Sequence, residues 1–365
     1  MENLVDLVTL NMTRGVGSII YGRLLDFFET PSAILDASER DLQQVQGVSG
    51  KVSSAIKSMS RSMGEDEIAF AESLSVRIVA QDSPEYPKAL LSIYDPPLVL
   101  YIRGGCTEQD ALAIGLIGSR RCSHYGRIQA ERFGSDLARM GFTIISGLAQ
   151  GIDTSAHQGA LKVKGRTIAV LGNGLSHVYP RQNAQLAQEV ADNGAVVSEF
   201  PMKTRADARH FPQRNRLISG LSLGVMVVEA SKQSGTLITA NFALEQGREV
   251  FALPGRVDNP TSAGTHKLIQ QGAKLVTTPA DVVEELGPLA SEIEPLGEEA
   301  VTDPRALTLN SRERQIYDTL SHDPLHVDDI IRTTGIPAPN VLSTLTILEM
   351  RRLVKQLAGK RFVKP

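Results

Sequence analysis

The stretch "ALAIGLIGSRRCSHYGRIQAERFGSDLARMGFTIISG", Ala111–Gly147, decides the fold class. It opens as an apolar run and breaks at a Gly-Ser turn. It continues as a segment with apolar residues at helical spacing that ends at Gly141, then returns to a second apolar run, "FTIISG". Apolar runs without alternation are what strands show when helices cover both faces of their sheet. The pattern recurs downstream. "TSAHQGALKVKG", "RQNAQLAQEVADNG" and "LITANFALEQG" read as helices, and "TIAVLGNG", "AVVSEF", "VMVVEA", "EVFALPG" and "AKLVTT" read as strands. Strand, turn and helix in this alternation specify an α/β domain built on a doubly wound, mainly parallel sheet.

The flanks read differently. Residues 1–75 are helical in pattern. "TRGVGSIIYGRLLDFF" and "ERDLQQVQGVSGKVSSAIKSM" share a plan in which Gly15 and Gly17, then Gly47 and Gly50, make a tight turn that opens a helix. This is similar to a tandem helix-hairpin-helix, SAM-like module, in which hairpin amides hold a DNA phosphate. It reads equally as a small helical domain used for packing or protein contacts. Residues 76–110 are extended and punctuated by proline, a lead-in lying on the next domain. The α/β domain runs over 76–286. Residues 287–305 are acidic with few large apolar side chains, a linker. Residues 306–365 give three helices and a hairpin around Gly359, the outline of a winged helix.

The chain has 365 residues, 42% hydrophobic and 22% charged, with a net charge of −3. Such a length suggests two or three domains. An acidic chain does not coat duplex DNA by bulk charge, so any nucleic-acid site is a local patch. Two cysteines, Cys106 and Cys122, exclude a disulfide scaffold or a Cys-rich zinc site and fit a reducing cytoplasm. The N-terminus does not read as a signal peptide, and no apolar run approaches the roughly 18 residues of a membrane span.

Ligands of open parallel sheets bind beyond the carboxyl ends of the strands. The loops there carry Gly118, Ser119 and Arg120, with Arg121, His124 and Arg127; then Ser146, Gly147, Gly151 and Asp153; then Gly172, Gly174 and Tyr179. After the fourth strand come Glu199 and a basic stretch of Lys203, Arg205, Arg209, Arg214 and Arg216, opposed by Asp207. After the fifth come Lys232, Ser234, Gly235 and Thr236. Glycines admit a ligand close to the backbone, hydroxyls and helix-end amides donate to phosphate oxygens, and arginine matches phosphate with its fork. The cations exceed what one mononucleotide needs, so a polyanionic strand fits better. Phe211 and Tyr179 offer stacking faces for unpaired bases, although Phe211 also reads as a core aromatic.

Neither a dinucleotide fingerprint nor a P-loop is present. Asp153 sits where an N-cap would, and Glu199 pairs with a neighbouring arginine. His157 and His177 lack metal-ligand spacing and read as structural, and Cys122 as an ordinary thiol.

With "SGLAQGIDTSAHQGAL", "AVLGNGL", "SEFP", "HFPQRNRLISGLS", "SGTLITA", "ALEQGREVFALPG" and "GTHKLIQQGA" in order over 80–280, the chain resembles the DNA-processing protein A, or Smf, family. The resemblance implies an extended Rossmann-like fold. It implies a cytoplasmic, non-enzymatic protein that binds and protects single-stranded DNA in natural transformation and loads the RecA recombinase, as a homodimer through that domain and without a cofactor. Matched by motif, Arg120 is the arginine of "GSR", Phe211, Pro212, Arg214, Asn215 and Arg216 form the FPxRNR motif, and Ser234, Gly235 and Thr236 form the "SGT" turn. Ser176 departs from the aspartate of many members, and "TRADAR" at 204–209 from a Pro-rich lead-in. In the winged helix the positive charge falls late, at Arg351, Arg352, Lys355, Lys360 and Arg361, which suits a protein contact as well as duplex DNA. The alternative is a Rossmann-type nucleotide phosphoribohydrolase-like enzyme using Glu199 or Asp153 as its acid.

Overall fold

The computed structural model describes residues 2–287, 311–320, 325–350, 353–357 and 359–363. The chain divides into two compact units, Met1–Leu296 and Gly297–Pro365. The expected linker at 287–305 lies outside the described residues apart from Gly287, as do Arg351 and Arg352.

The first unit is organised by a nine-stranded sheet. Its strands are β1 (Arg77–Ala80), β2 (Val99–Gly104), β3 (Ala113–Ile117), β4 (Thr143–Ser146), β5 (Thr167–Val170), β6 (Gly194–Ser198), β7 (Gly224–Val227), β8 (Glu249–Ala252) and β9 (Lys274–Leu275). Their order is β1-β2-β6-β5-β4-β3-β7-β8-β9. From β6 to β9 every pairing is parallel. The lead-in segment does more than lie on the domain: it supplies β1 and β2, which extend the sheet antiparallel from β6. Every residue of β3, β4, β5, β6 and β7 is buried, which is why their sequences do not alternate.

Six helices precede the sheet: α1 (Glu2–Met12), α2 (Ser18–Phe28), α3 (Pro31–Asp36), α4 (Glu39–Leu42), α5 (Gly50–Lys57) and α6 (Arg61–Ser73). Gly15 and Gly47 take φ of +90° and +92° in the turns before α2 and α5, a conformation that favours glycine. These helices share one apolar cluster with a face of the sheet, in which Leu10, Leu24 and Ile56 join Tyr101, Ala169 and Val196. Within the sheet unit follow α7 (His124–Arg139), α8 (Ile152–Lys162), α9 (Ala184–Asn193), α10 (His210–Gly220), α11 (Thr236–Glu245), α12 (Ala263–Gln270) and α13 (Pro279–Leu286).

The second unit holds α14 (Ser311–Thr319), α15 (Val327–Thr334) and α16 (Ala338–Met350), with β10 (Leu325–His326), β11 (Lys355–Leu357) and β12 (Arg361–Val363) in the order β10-β12-β11. Ile316, Ile330, Val341, Leu345, Leu348 and Phe362 form its core. The expected hairpin is β11–β12, and β10 adds a third strand to it.

Candidate nucleic-acid interface

The chain winds outward from β3 in two directions, through β4, β5 and β6 on one side and β7, β8 and β9 on the other. Between β3 and β7 the loops at the carboxyl ends diverge, and an open α/β sheet leaves a crevice at such a point. A cleft of about 650 Å³ occupies it. Gly118, Ser119, Arg120 and Arg121 line it from the turn after β3, Ala149 and Asp153 from the segment after β4, Phe211, Arg214 and Asn215 from α10, and Ser234, Gly235 and Thr236 from the turn into α11.

Arg214 forms part of the floor. It is 4% exposed, its Nη1 donates to the carbonyl oxygens of Gly147 at 2.7 Å and of Val170, and its Nε finds no acceptor among the described residues. Burial brings its pKa down to about 10, against the pull of Asp153, so it remains a cation at neutral pH. Asp153 does not cap α8, whose N-cap is Gly151. Its Oδ2 instead accepts the N–H groups of Gly147 at 3.2 Å and Ala149 at 3.3 Å. Burial raises its pKa, with Arg214 opposing.

At the mouth, the exposed Arg120 guanidinium lies 4.7 Å from the centroid of the Phe211 ring. Tyr179, itself exposed, meets the same ring at 5.9 Å and a 31° tilt. Phe211 is half-buried, so its ring belongs to the rim and not to the core. On the opposite wall Ser234 Oγ accepts from the N–H of Thr236 at 3.2 Å and donates to its Oγ1 at 2.9 Å, which shapes the start of α11.

The glycines divide into two kinds. A Cβ on Gly147 would fall 2.2 Å from Arg214 Nη1, and one on Gly151, where φ is +87°, 2.5 Å from the Ser119 carbonyl oxygen. Both serve close packing within the protein and not the approach of a ligand. A Cβ on Gly235 would meet nothing within 4 Å.

Residues 77–287 match the family DNA recombination-mediator protein A, and residues 300–360 match the DprA winged helix domain. The chain belongs to the DNA recombination-mediator protein A family. It is 40% identical to Protein Smf of Escherichia coli (strain K12) over 319 residues, 87% of this chain and 85% of that one. It is 47% identical to DNA processing protein DprA of Bacillus subtilis (strain 168) over 212 residues, 58% and 71% of the two chains. Among solved structures, DNA processing protein A of Streptococcus pneumoniae superposes with a TM-score of 0.68 at 33% identity, covering 78% of this chain and 98% of that one. The protein of Helicobacter pylori, solved for its single-stranded DNA binding mode, gives 0.52 at 31% identity, covering 57% and 95%.

Not every expected site residue of this family member reaches the cleft. Ser146 is buried and donates to the Leu116 carbonyl at 2.6 Å. Gly147 lies beneath Arg214. Arg209 is exposed but held by Asp207 at 2.8 Å, and Lys232 is exposed outside the cleft lining. Arg216 is turned into the protein, where Nη2 meets Glu199 Oε2 at 2.7 Å and Nε meets Asp95 Oδ2 at 2.7 Å. Glu199 therefore pairs with arginine as expected, and burial raises its pKa against that partner. His157 is structural, bonded to Thr167, and His177 lies beside Ser176. Burial pushes the Cys106 thiol up to about 12 and raises Cys122, so neither is a ready thiolate. Glu229 was missed. Buried at the end of β7, it accepts from Ser123 N at 2.8 Å and Ser123 Oγ at 2.6 Å, fixing the turn that carries Arg120. An acid closing an apolar strand, "VMVVEA", was the available signal.

Proposed function

We propose that this chain binds single-stranded DNA in the cleft between β3 and β7, with Arg120 and Arg214 on phosphates, Phe211 beside a base, and Gly118, Ser119, Asn215, Ser234, Gly235 and Thr236 shaping the path. The observation that carries this reading is the Arg120–Phe211–Tyr179 arrangement at the mouth, above the buried cation Arg214. Cations give affinity without base preference, and exposed aromatic faces accept any unpaired base. The single-stranded DNA binding mode of the Helicobacter pylori relative supports it. Ser146, Gly147, Arg209, Arg216 and Lys232 act, on this reading, by support or not at all.

The family name and the DNA-processing relatives support a role in recombination during transformation. Loading of a RecA-type recombinase, a homodimer through the sheet domain, a cytoplasmic location and the division at 1–75, 76–286 and 306–365 belong to the same proposal. No helix among the described residues is long and apolar enough to cross a membrane. No catalytic step is assigned, since Asp153 and Glu199, the acids a phosphoribohydrolase would need, are committed to the contacts that hold the loops.

Fluorescence anisotropy with labelled oligo-deoxythymidine tests the reading. Binding at micromolar concentration or tighter is expected, weakening steeply with salt. Arg120→Ala should lower affinity on all sequences alike and reduce the slope of log K against log salt by about 0.7, the value for one phosphate of a single strand. Indifference of the folded protein to oligonucleotide at low salt, or release of free base from nucleotides, would refute it.

A further inference from the structure

The segment that leads from β6 into α10 is fastened on both sides. On its inner side Glu199 holds Arg216 of α10, and Phe200 stacks at 4.5 Å on His210, the first residue of α10 and the neighbour of Phe211. On its outer side it touches the N-terminal helices. Glu67 of α6, 6% exposed, accepts the backbone N–H of Met202 at 2.6 Å. Asn11 of α1 donates to the Glu199 carbonyl oxygen at 3.3 Å, and Lys203 Nζ lies 4.7 Å from the Phe70 ring centroid. A buried carboxylate oxygen that accepts a backbone N–H, here with the buried Tyr101 hydroxyl also beside it, makes a charge-assisted bond that is expensive to leave unmade.

We propose that Glu67 is a positioning residue for the DNA cleft: through Met202 it sets the segment that places Phe211 and Arg214, so the N-terminal helices tune single-strand affinity without touching the strand. This rests on the reading above that the cleft binds single-stranded DNA. The path is physically continuous. Met202 is two residues from Phe200, whose ring carries His210, and its carbonyl oxygen is gripped from the far side by Ser176, N at 3.2 Å and Oγ at 2.5 Å. The segment has one seat between α6 and the turn after β5, and losing Glu67 removes one wall of that seat. Linkage makes the effect reciprocal: if the Glu67 contact raises affinity for DNA, DNA must strengthen the contact.

The test uses the full chain, oligo-deoxythymidine and two variants, Glu67→Ala and Glu67→Gln. Glu67→Ala is expected to lose about tenfold in affinity, within the usual range of such couplings. Glu67→Gln, which keeps an acceptor oxygen of the same reach, is expected to bind like the wild type. In the wild type, saturating oligonucleotide should slow hydrogen exchange of the Met202 amide and of α6 more than that of α13, the control for general stabilisation by a ligand. Should Glu67→Ala fail to fold, the exchange result on the wild type decides. Wild-type affinity in a folded Glu67→Ala protein, or binding with no response in α6 and Met202, overturns this inference alone. Absence of any binding by the wild type overturns the reading beneath it as well.

Discussion

Arg214 and Gly147 are fitted to each other: the guanidinium donates to the Gly147 carbonyl at 2.7 Å and covers the face where a side chain would be. Alanine at 147 would put its Cβ 2.2 Å from Nη1, and the far end of an otherwise confined arginine would have to shift. Gly147→Ala should therefore cost about 1–3 kcal/mol of stability by overpacking and lower oligonucleotide affinity as Arg214 moves. Urea denaturation and anisotropy on one preparation check both. Unchanged stability and affinity would show that Arg214 is not held as described.

Gly235 gives the opposite expectation. Its backbone is right-handed helical, at φ −58° and ψ −17°, and a Cβ there meets no atom of the described residues within 4 Å beyond its chain neighbours. Gly235→Ala should raise stability by about 0.4–1 kcal/mol through the unfolded chain. If a phosphate comes close to the start of α11, the same methyl group should weaken oligonucleotide binding. A variant that is more stable and binds as well as the wild type would remove Gly235 from the strand path.

Arg216 should behave as a structural residue. Arg216→Met leaves Glu199 buried beside Asp95 without its cation, a loss of about 3–5 kcal/mol for a broken buried pair. The double variant Arg216→Met/Glu199→Leu should recover much of it, because both charges then leave the interior together. Denaturation midpoints of the single and double variants measure this. A single variant that unfolds like the wild type but shows a shallower salt dependence on DNA would make Arg216 a phosphate ligand instead.

The contrast between Arg214 and Arg216 shows what the sequence carried. The alternation of apolar runs and helices was enough for the sheet, and the rule of carboxyl ends was enough to bring Arg120, Phe211, Arg214 and the Ser234–Thr236 turn to one cleft. The "RNR" motif is not a single grip. Residues two apart on a helix do not share a face, so once α10 begins at His210 its two arginines must diverge. One stays at the cleft and the other goes to Glu199. The strands at 77–80 and 99–104 join an edge of the sheet by antiparallel pairing, which local pattern does not announce. The grip of Glu67 on Met202 spans 135 residues and exists only once the chain has folded.

His157 should make stability fall with acidity. Its Nδ1 lies 2.7 Å from Thr167 Oγ1, and that hydroxyl gives its one hydrogen to the Ile144 carbonyl at 2.7 Å. Thr167 must then accept, so Nδ1 carries the ring proton and Nε2 is bare, buried and without a partner among the described residues. A second proton would bury a charge near Arg214, and burial first, then that cation, lower the pKa to about 3. The unfolded chain titrates near the ordinary value of about 6.5, so below it the unfolded state binds a proton that the folded state refuses. The contribution is complete above that pH and is lost as the pH falls towards 3, by up to about 1.4 kcal/mol per unit. Asp153 and Glu199, both raised, act in the opposite sense, so the comparison must be with His157→Gln, which can still donate to Thr167 and cannot titrate. The stability of the wild type relative to this variant, from urea denaturation, should decline steadily from pH 6.5 to pH 4.5. A difference that stays flat across that interval would mean that the imidazole is not held neutral by its burial.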